Sequence, residues 1–443
     1  MADGRQAFTA AGATRCALPL RCIVGWGLVG LSLGVCRDGV AGAGAGAGAG
    51  AVAGEGLEVR RFQEAPHHYY SRVPSDAFAR LLAASKTQEA ALGAADEKER
   101  LLGVLKALQI PVSSQLLVYS ATSLQSGIIN PANPRALYFN EESYVGFVPG
   151  GRMEIASIDP ELGPVFYLVN AGGIARLDAV RSERCMNCHG GRTSWQLPGL
   201  VAESVIPTKT GASLDGFRRE LVGHVIPIKE RLGGWHVTGA QAQEQHLGNL
   251  MGEAYEGTYT CIANPPGLRF SWERYPGRTS DLFAHLIHEH QLGFHNLVTL
   301  ALYRTRDALL TGGGKVRQED RSALESIAWD LVRYMLFQKE AALPKGGVTP
   351  DPSFARDFSA RRVAGNSKAS LRDLDLKERM FRYRCSYMIY TPGFQALQPV
   401  MKDFVLRALQ HALTEGGPDE FNYLPGAEKR AILAILRETR VIG

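Results

Sequence analysis

Two cysteines three residues apart, with a histidine directly behind the second, constrain this chain more than any other feature: Cys185-Met186-Asn187-Cys188-His189. In a single helical turn the two thiols lie along one edge, and the imidazole that follows turns over that same edge. The arrangement suits a haem whose two vinyl groups take thioethers from Cys185 and Cys188 and whose iron takes His189 as proximal ligand. Two rivals remain open. A thioredoxin-like dithiol needs C-x-x-C at a helix start after a strand, with a low-pKa first cysteine. Here Arg181-Ser-Glu-Arg precedes the pair and Gly190-Gly191-Arg192 follows, with no βαβ pattern. A zinc site needs a second pair of ligands, and no further C-x-x-C or H-x-H is present.

What precedes the motif reads as an export signal. Arg5, Arg15 and Arg21 are followed by Ile23 to Val35, an uncharged apolar run shorter than a comfortable bilayer span, and then by the Ala/Gly repeat of residues 41–50. Residues 1–54 are expected to be a signal peptide, or an uncleaved anchor, followed by a flexible linker with nothing to pack. A lipoprotein is less favoured, because Val35 stands before Cys36 where a small residue is wanted. Localisation is therefore expected to be periplasmic or otherwise exported, in a bacterium, the setting in which haem is attached to such a motif. Three of the seven cysteines (Cys16, Cys22 and Cys36) fall in this segment. Of the other four, Cys261 and Cys385 are left outside the motif; whether they pair stays open, since spacing does not fix their distance.

Over the 443 residues, 45% are hydrophobic and 21% charged, which fits a folded globular chain. Lys and Arg outnumber Asp and Glu by only 49 to 44, too even a balance to point to nucleic acid. The membrane is expected to be met only through the N-terminal segment if it stays uncleaved. Ala- and Leu-rich stripes from Asp76 to Leu108 predict a helical hairpin broken near Gly93. Short β-type runs follow: Gln115 to Ser120, Ala136 to Phe139, Tyr144 to Val148, Met153 to Ala156 and Pro164 to Val169. Residues 181–280 are loop-rich. Asp281 to Arg304 predicts one long helix with Ser280 as N-cap. A further helix is expected over 320–340, a linker over 341–370, and amphipathic helices at Val400–Leu413 and Glu428–Glu438. The expected fold is α+β, mainly α: a helical c-type haem domain with a small β-rich segment (55–340), then a C-terminal linker and helical region (341–443).

The chain resembles the large single-haem, cytochrome c domain-containing proteins of planctomycetes, verrucomicrobia and related bacteria. The resemblance covers most of residues 110–440. It is carried by Ser114-Gln-Leu-Leu-Val-Tyr-Ser, Pro134-Arg-Ala-Leu-Tyr-Phe-Asn, Tyr144-Val-Gly-Phe-Val-Pro-Gly-Gly, the Cys185 motif, and Gly233-Gly-Trp-His-Val-Thr-Gly. His246-Leu-Gly-Asn, Glu289-His-Gln, His295-Asn, and Leu371-Arg-Asp-Leu-Asp-Leu with Cys385-Ser-Tyr add to it. It implies covalent haem and export, and only Cys185, Cys188 and His189 carry over as functional residues. Leu247 stands where the family often has Met, so that position does not help in choosing a ligand.

The second side of the iron separates electron transfer from chemistry on a bound molecule. Met251 lies at a separation usual in small cytochromes c, and His246 one turn earlier; both are candidate distal ligands, with core packing as the plainer reading of each. In the 281–304 helix, Glu289, His290 and His295 form a candidate distal cluster able to do acid–base work. His288 and His295 share a face and Glu289 and Asn296 the neighbouring one; the plainer reading is an exposed polar face with one or two buried histidines. Trp195, Trp235 and Trp272 read as core or haem-edge packing. The leading expectation is an exported c-type cytochrome with one covalent haem, transferring electrons to or from a redox partner protein. A peroxidase-type haem enzyme and a haem-based sensor with an open distal site are the alternatives.

Overall fold

The computed structural model describes residues 57–85, 96–169, 177–216, 223–240, 246–255 and 258–443. The export signal and Ala/Gly tract expected over 1–54, and the break expected near Gly93, lie outside these residues.

Two short helices come first, α1 (Ala77–Ser85) and α2 (Glu97–Ala107). A six-stranded antiparallel meander follows, in which each strand pairs with the next: β1 (Leu116–Val118), β2 (Arg135–Phe139), β3 (Ser143–Phe147), β4 (Met153–Asp159), β5 (Gly163–Val169) and β6 (Ala179–Arg181). The five β-type runs seen in the sequence are β1 to β5. Alternation along each strand sends one set of side chains to each face. One row, paired across the sheet, is Tyr138–Val145–Ile155–Tyr167. It meets α1 through Phe78, whose ring centre lies 4.9 Å from that of Tyr167. On the opposite face, Leu137–Gly146–Glu154–Leu168 and Tyr144–Ala156–Phe166 form two parallel rows.

The motif follows β6 directly, in one helical turn, α3 (Met186–His189). Two hairpins succeed it, β7 (Val205–Pro207) with β8 (Ser213–Gly216), and β9 (Leu250–Tyr255) with β10 (Thr258–Ala263). The long helix α4 runs Leu282–Thr311. Its N-cap is Asp281, one residue beyond the expected Ser280: Asp281 has extended backbone and its carboxylate accepts from the Ala284 N–H at 3.1 Å. The Ser280 hydroxyl instead donates to the His236 carbonyl and accepts from the Leu117 N–H, tying the start of α4 to β1. The helix continues past Arg304 for two more turns, to Gly312.

The remaining helices are α5 (Gln318–Met335), α6 (Pro352–Ala360), α7 (Pro392–Gln395), α8 (Pro399–Leu413) and α9 (Gly426–Glu438). The stretch expected as a linker over 341–370 holds α6, because Asp351 caps it, Pro352 supplies a preset φ at its start, and Phe354 and Phe358 bury against Phe283. Among the described residues helix outweighs strand, 39% to 15%, and the fold is α+β. Buried apolar residues from Leu57 to Ile442 form one connected core. Among the described residues no helix is long and apolar enough to cross a membrane.

Candidate functional site

The motif turn lines a cavity of about 460 Å³, within the usual range for sites that hold small molecules and cofactors. Cys185, Cys188 and His189 all contribute to its wall. The floor is the sheet face carrying Leu137, Gly146, Glu154 and Leu168 in one row and Tyr144, Ala156 and Phe166 in the next. Gly146 and Ala156 keep the middle of that floor low. A Cβ on Gly146 would meet Arg135 and Glu154 at 3.5 Å, ordinary contact distance. Leu200, Trp235, His288 and Leu292 close other sides. The expected mainly helical setting for the motif is thus corrected: helix reaches the cavity through the single turn α3 and one side of α4, and a β-sheet face forms its floor, because alternation in β2 to β5 turns a whole row of side chains toward the motif.

His189 is oriented by its backbone surroundings. Its Nδ1 lies 2.8 Å from the Gly199 carbonyl, and a carbonyl only accepts, so Nδ1 carries the proton and Nε2 keeps its lone pair. That is the second-shell arrangement which fixes a ligating imidazole. The Gly199 N–H returns a bond to the His189 carbonyl at 2.8 Å. Gly199 has no room for a side chain, since a Cβ there would come within 2.2 Å of the Ser194 Cβ. Next to it, Asn296 of α4 holds Leu200 by both backbone groups: its Oδ1 accepts from the Leu200 N–H at 2.7 Å and its Nδ2 donates to the Leu200 carbonyl at 2.9 Å. The His189 ring packs on Phe166, centre to centre 4.3 Å. Burial pushes the His189 pKa down to about 4, so the imidazole is neutral near pH 7.

Cys185 and Cys188 are free thiols, not bridged to each other. Burial holds the Cys185 thiol above its ordinary pKa. A dithiol oxidoreductase needs the opposite shift, which weakens that reading of the pair. The zinc reading has no support either: among the described residues no group of three or more His, Cys, Asp and Glu is placed to hold a metal ion.

Charge enters the cavity wall at Arg135 and Glu154, an ion pair of 2.8 Å. Glu154 also accepts from Ser123 at 2.7 Å and Gln125 at 3.2 Å. The Arg135 Nε is buried without a hydrogen-bond partner. These residues fit an amphipathic macrocycle: apolar walls for its faces, two thiols and an imidazole at one side, and an unused guanidinium donor for a carboxylate.

None of the five distal candidates named from the sequence lines this cavity. Met251 is fully buried in β9, opposite Ile262 of β10, and is a core residue. His246 is buried and its Nδ1 accepts from the Gly248 N–H at 3.0 Å, capping its own turn. Glu289 pairs with Arg231 at 3.1 Å. His290 lies between His224 and Ser386, at 2.9 and 2.8 Å. His295 donates through Nε2 to the Glu141 carbonyl at 2.8 Å. Helix geometry explains the correction: at about 100° per residue, Glu289 and His290 point away from the face that meets the motif, and His295 lies about 10 Å further along the axis. The expected exposed polar face on this helix is absent too, since His285, His288, His290, Gln291, His295 and Asn296 are all buried.

The residues on the motif-facing side of α4 are His288, Leu292 and, one turn on, Asn296. His288 is 4% exposed and makes no hydrogen bond to any described residue. Its ring is held by Phe139, Tyr144 and Trp235, with centres 5.2, 5.7 and 6.1 Å away. Burial pushes its pKa down to about 3. The sequence named it only as sharing a face with His295, and nothing in its spacing sets it apart from its neighbours. Of the tryptophans, Trp235 lines the cavity and bonds the Glu203 carbonyl at 2.9 Å, while Trp195 and Trp272 are half-buried packing. Cys385 is a buried free thiol and Cys261 is disulfide-bonded, so the two do not pair.

Comparison of the chain with protein-family models, curated proteins and solved structures gives no match.

Proposed function

We propose that the chain is an exported c-type haem protein, of the kind it resembles in sequence, and that it carries electrons between partner proteins. The observation that supports this most is that both thiols and the imidazole of the C-x-x-C-H motif open on one cavity, with the His189 Nδ1 donating to the Gly199 carbonyl so that Nε2 keeps its lone pair. Haem, when bound, supplies one-electron redox chemistry at its iron. Cys185 and Cys188 would hold the macrocycle by thioethers, His189 would ligate the iron, and Arg135, with its unpaired Nε, would meet a carboxylate. Phe166, Leu168, Leu137 and Leu200 exclude water from the ring faces. Cys188 is exposed, so a group attached there would be within reach of a partner protein. Export supplies the compartment in which the attachment takes place.

The test is mass spectrometry and a pyridine haemochrome assay on protein exported by a host competent in haem attachment. The expected result is one covalent haem per chain, lost when Cys185→Ala and Cys188→Ala are combined. Matured protein with both sulfurs free, or bridged to each other, overturns the reading.

A further inference from the structure

We propose that His288 is the second axial ligand of the haem iron, so that the site is a bis-histidine, low-spin electron-transfer centre with no open position. The inference rests on the haem reading above and deepens it.

Elimination among the described residues lining the cavity leads there. The wall contains no methionine and no cysteine beyond the motif pair. The hydroxyl of Tyr144 donates to Gln291 Oε1 at 3.1 Å, and that of Tyr167 donates to Asp76. Glu154 is occupied by Arg135, Ser123 and Gln125. His288 is the one imidazole there besides His189, and its ring nitrogens have no partner among the described residues. The aromatic cage of Phe139, Tyr144 and Trp235 fixes the ring without using either nitrogen. Both histidines line the same cavity. Their supports differ in kind: His189 comes from a turn strapped to α4 through Asn296 and Leu200, and His288 from α4 itself.

The experiment is electron paramagnetic resonance, near-infrared magnetic circular dichroism and carbon monoxide titration of the holoprotein. Wild type is expected to show the low-spin, bis-imidazole signature in the ferric state and little carbon monoxide binding in the ferrous state. In His288→Ala the low-spin signal should give way to a high-spin one, carbon monoxide should bind stoichiometrically, and added imidazole should restore the wild-type spectrum. His288→Met, which keeps a ligand, should remain low-spin with a raised reduction potential. Met251→Leu and His246→Ala should leave the spectrum as it is. A high-spin wild type, a thioether signature in wild type, or a low-spin spectrum retained in His288→Ala would each overturn the assignment. The wild-type spectra decide it even if a variant fails to fold. Protein without covalent haem by mass spectrometry overturns the haem reading itself, a failure distinct from a haem protein ligated by another residue.

Discussion

The motif turn α3 and the long helix α4 face the same cavity but are built in opposite ways. None of the four residues of α3 is buried, whereas 25 of the 30 residues of α4 are. A helix buried on all sides is positioned by its packing, and α4 has the sheet, α5 and α8 around it. The α3 turn has little packing of its own and is placed by β6 on one side and the Gly199–Leu200 strap on the other. On the haem reading proposed above, the contrast would suit covalent attachment: the weakly packed turn carries the two thiols that would bind the cofactor, and the rigid helix would need no such bond. Truncation should show the difference. Phe294→Ala, at a fully buried position of α4 packed on Phe394, is expected to cost about 3–5 kcal/mol in urea unfolding. Met186→Ala, half-buried in α3, should cost less than about 1 kcal/mol. Equal losses would break the comparison.

Acid should sharpen it from the α4 side. His295 donates to the Glu141 carbonyl, and burial pushes its pKa down to about 4, while the adjacent Glu141 carboxylate is kept ionised by Arg372 and Arg361. Below the ordinary histidine pKa the unfolded chain takes up a proton that the folded imidazole refuses, so stability is lost as pH falls. For His295 the loss builds up between about pH 6.5 and 4 and amounts to roughly 3 kcal/mol at the lower end. Urea titrations across that range should show a shallower decline in His295→Gln than in wild type. Parallel declines would mean that the site does not hold a neutral imidazole.

Much of this fold is legible in the sequence, and the parts that are not have physical causes. The strands β1 to β5 announce themselves by β-branched and aromatic runs between turn residues, and α4 by its apolar spacing. Proline and Asp351 hide α6 inside a stretch whose composition reads as linker. The motif is legible because its two thiols and imidazole stand at a short fixed spacing within one turn. The distal side was not: Glu289, His290 and His295 are as conspicuous in sequence as His288, and only the rotation of α4 against the sheet decides which imidazole meets the cavity. Met251 has a suitable separation in sequence, but β9 turns it into the core. Long-range placement by packing leaves no local signal.

The strap between the two regions gives the finest test. Asn296 carries two of the bonds that join α4 to the segment holding His189's acceptor, and both are buried. Asn296→Ala leaves the Leu200 N–H and carbonyl unpaired, which should cost about 1–3 kcal/mol. Gly199 is then free to shift, and with it the carbonyl that sets the His189 tautomer and ring angle. A purely structural strap would lower the unfolding midpoint and leave the haem spectrum alone. A positioning role predicts more: a broadened low-spin resonance and a displaced reduction potential in Asn296→Ala. Asn296→Asp, which keeps the acceptor for the Leu200 N–H but loses the donor to its carbonyl, should fall between the two. If all three proteins share one spectrum while differing in stability, the strap is structural only and His189 is oriented without it.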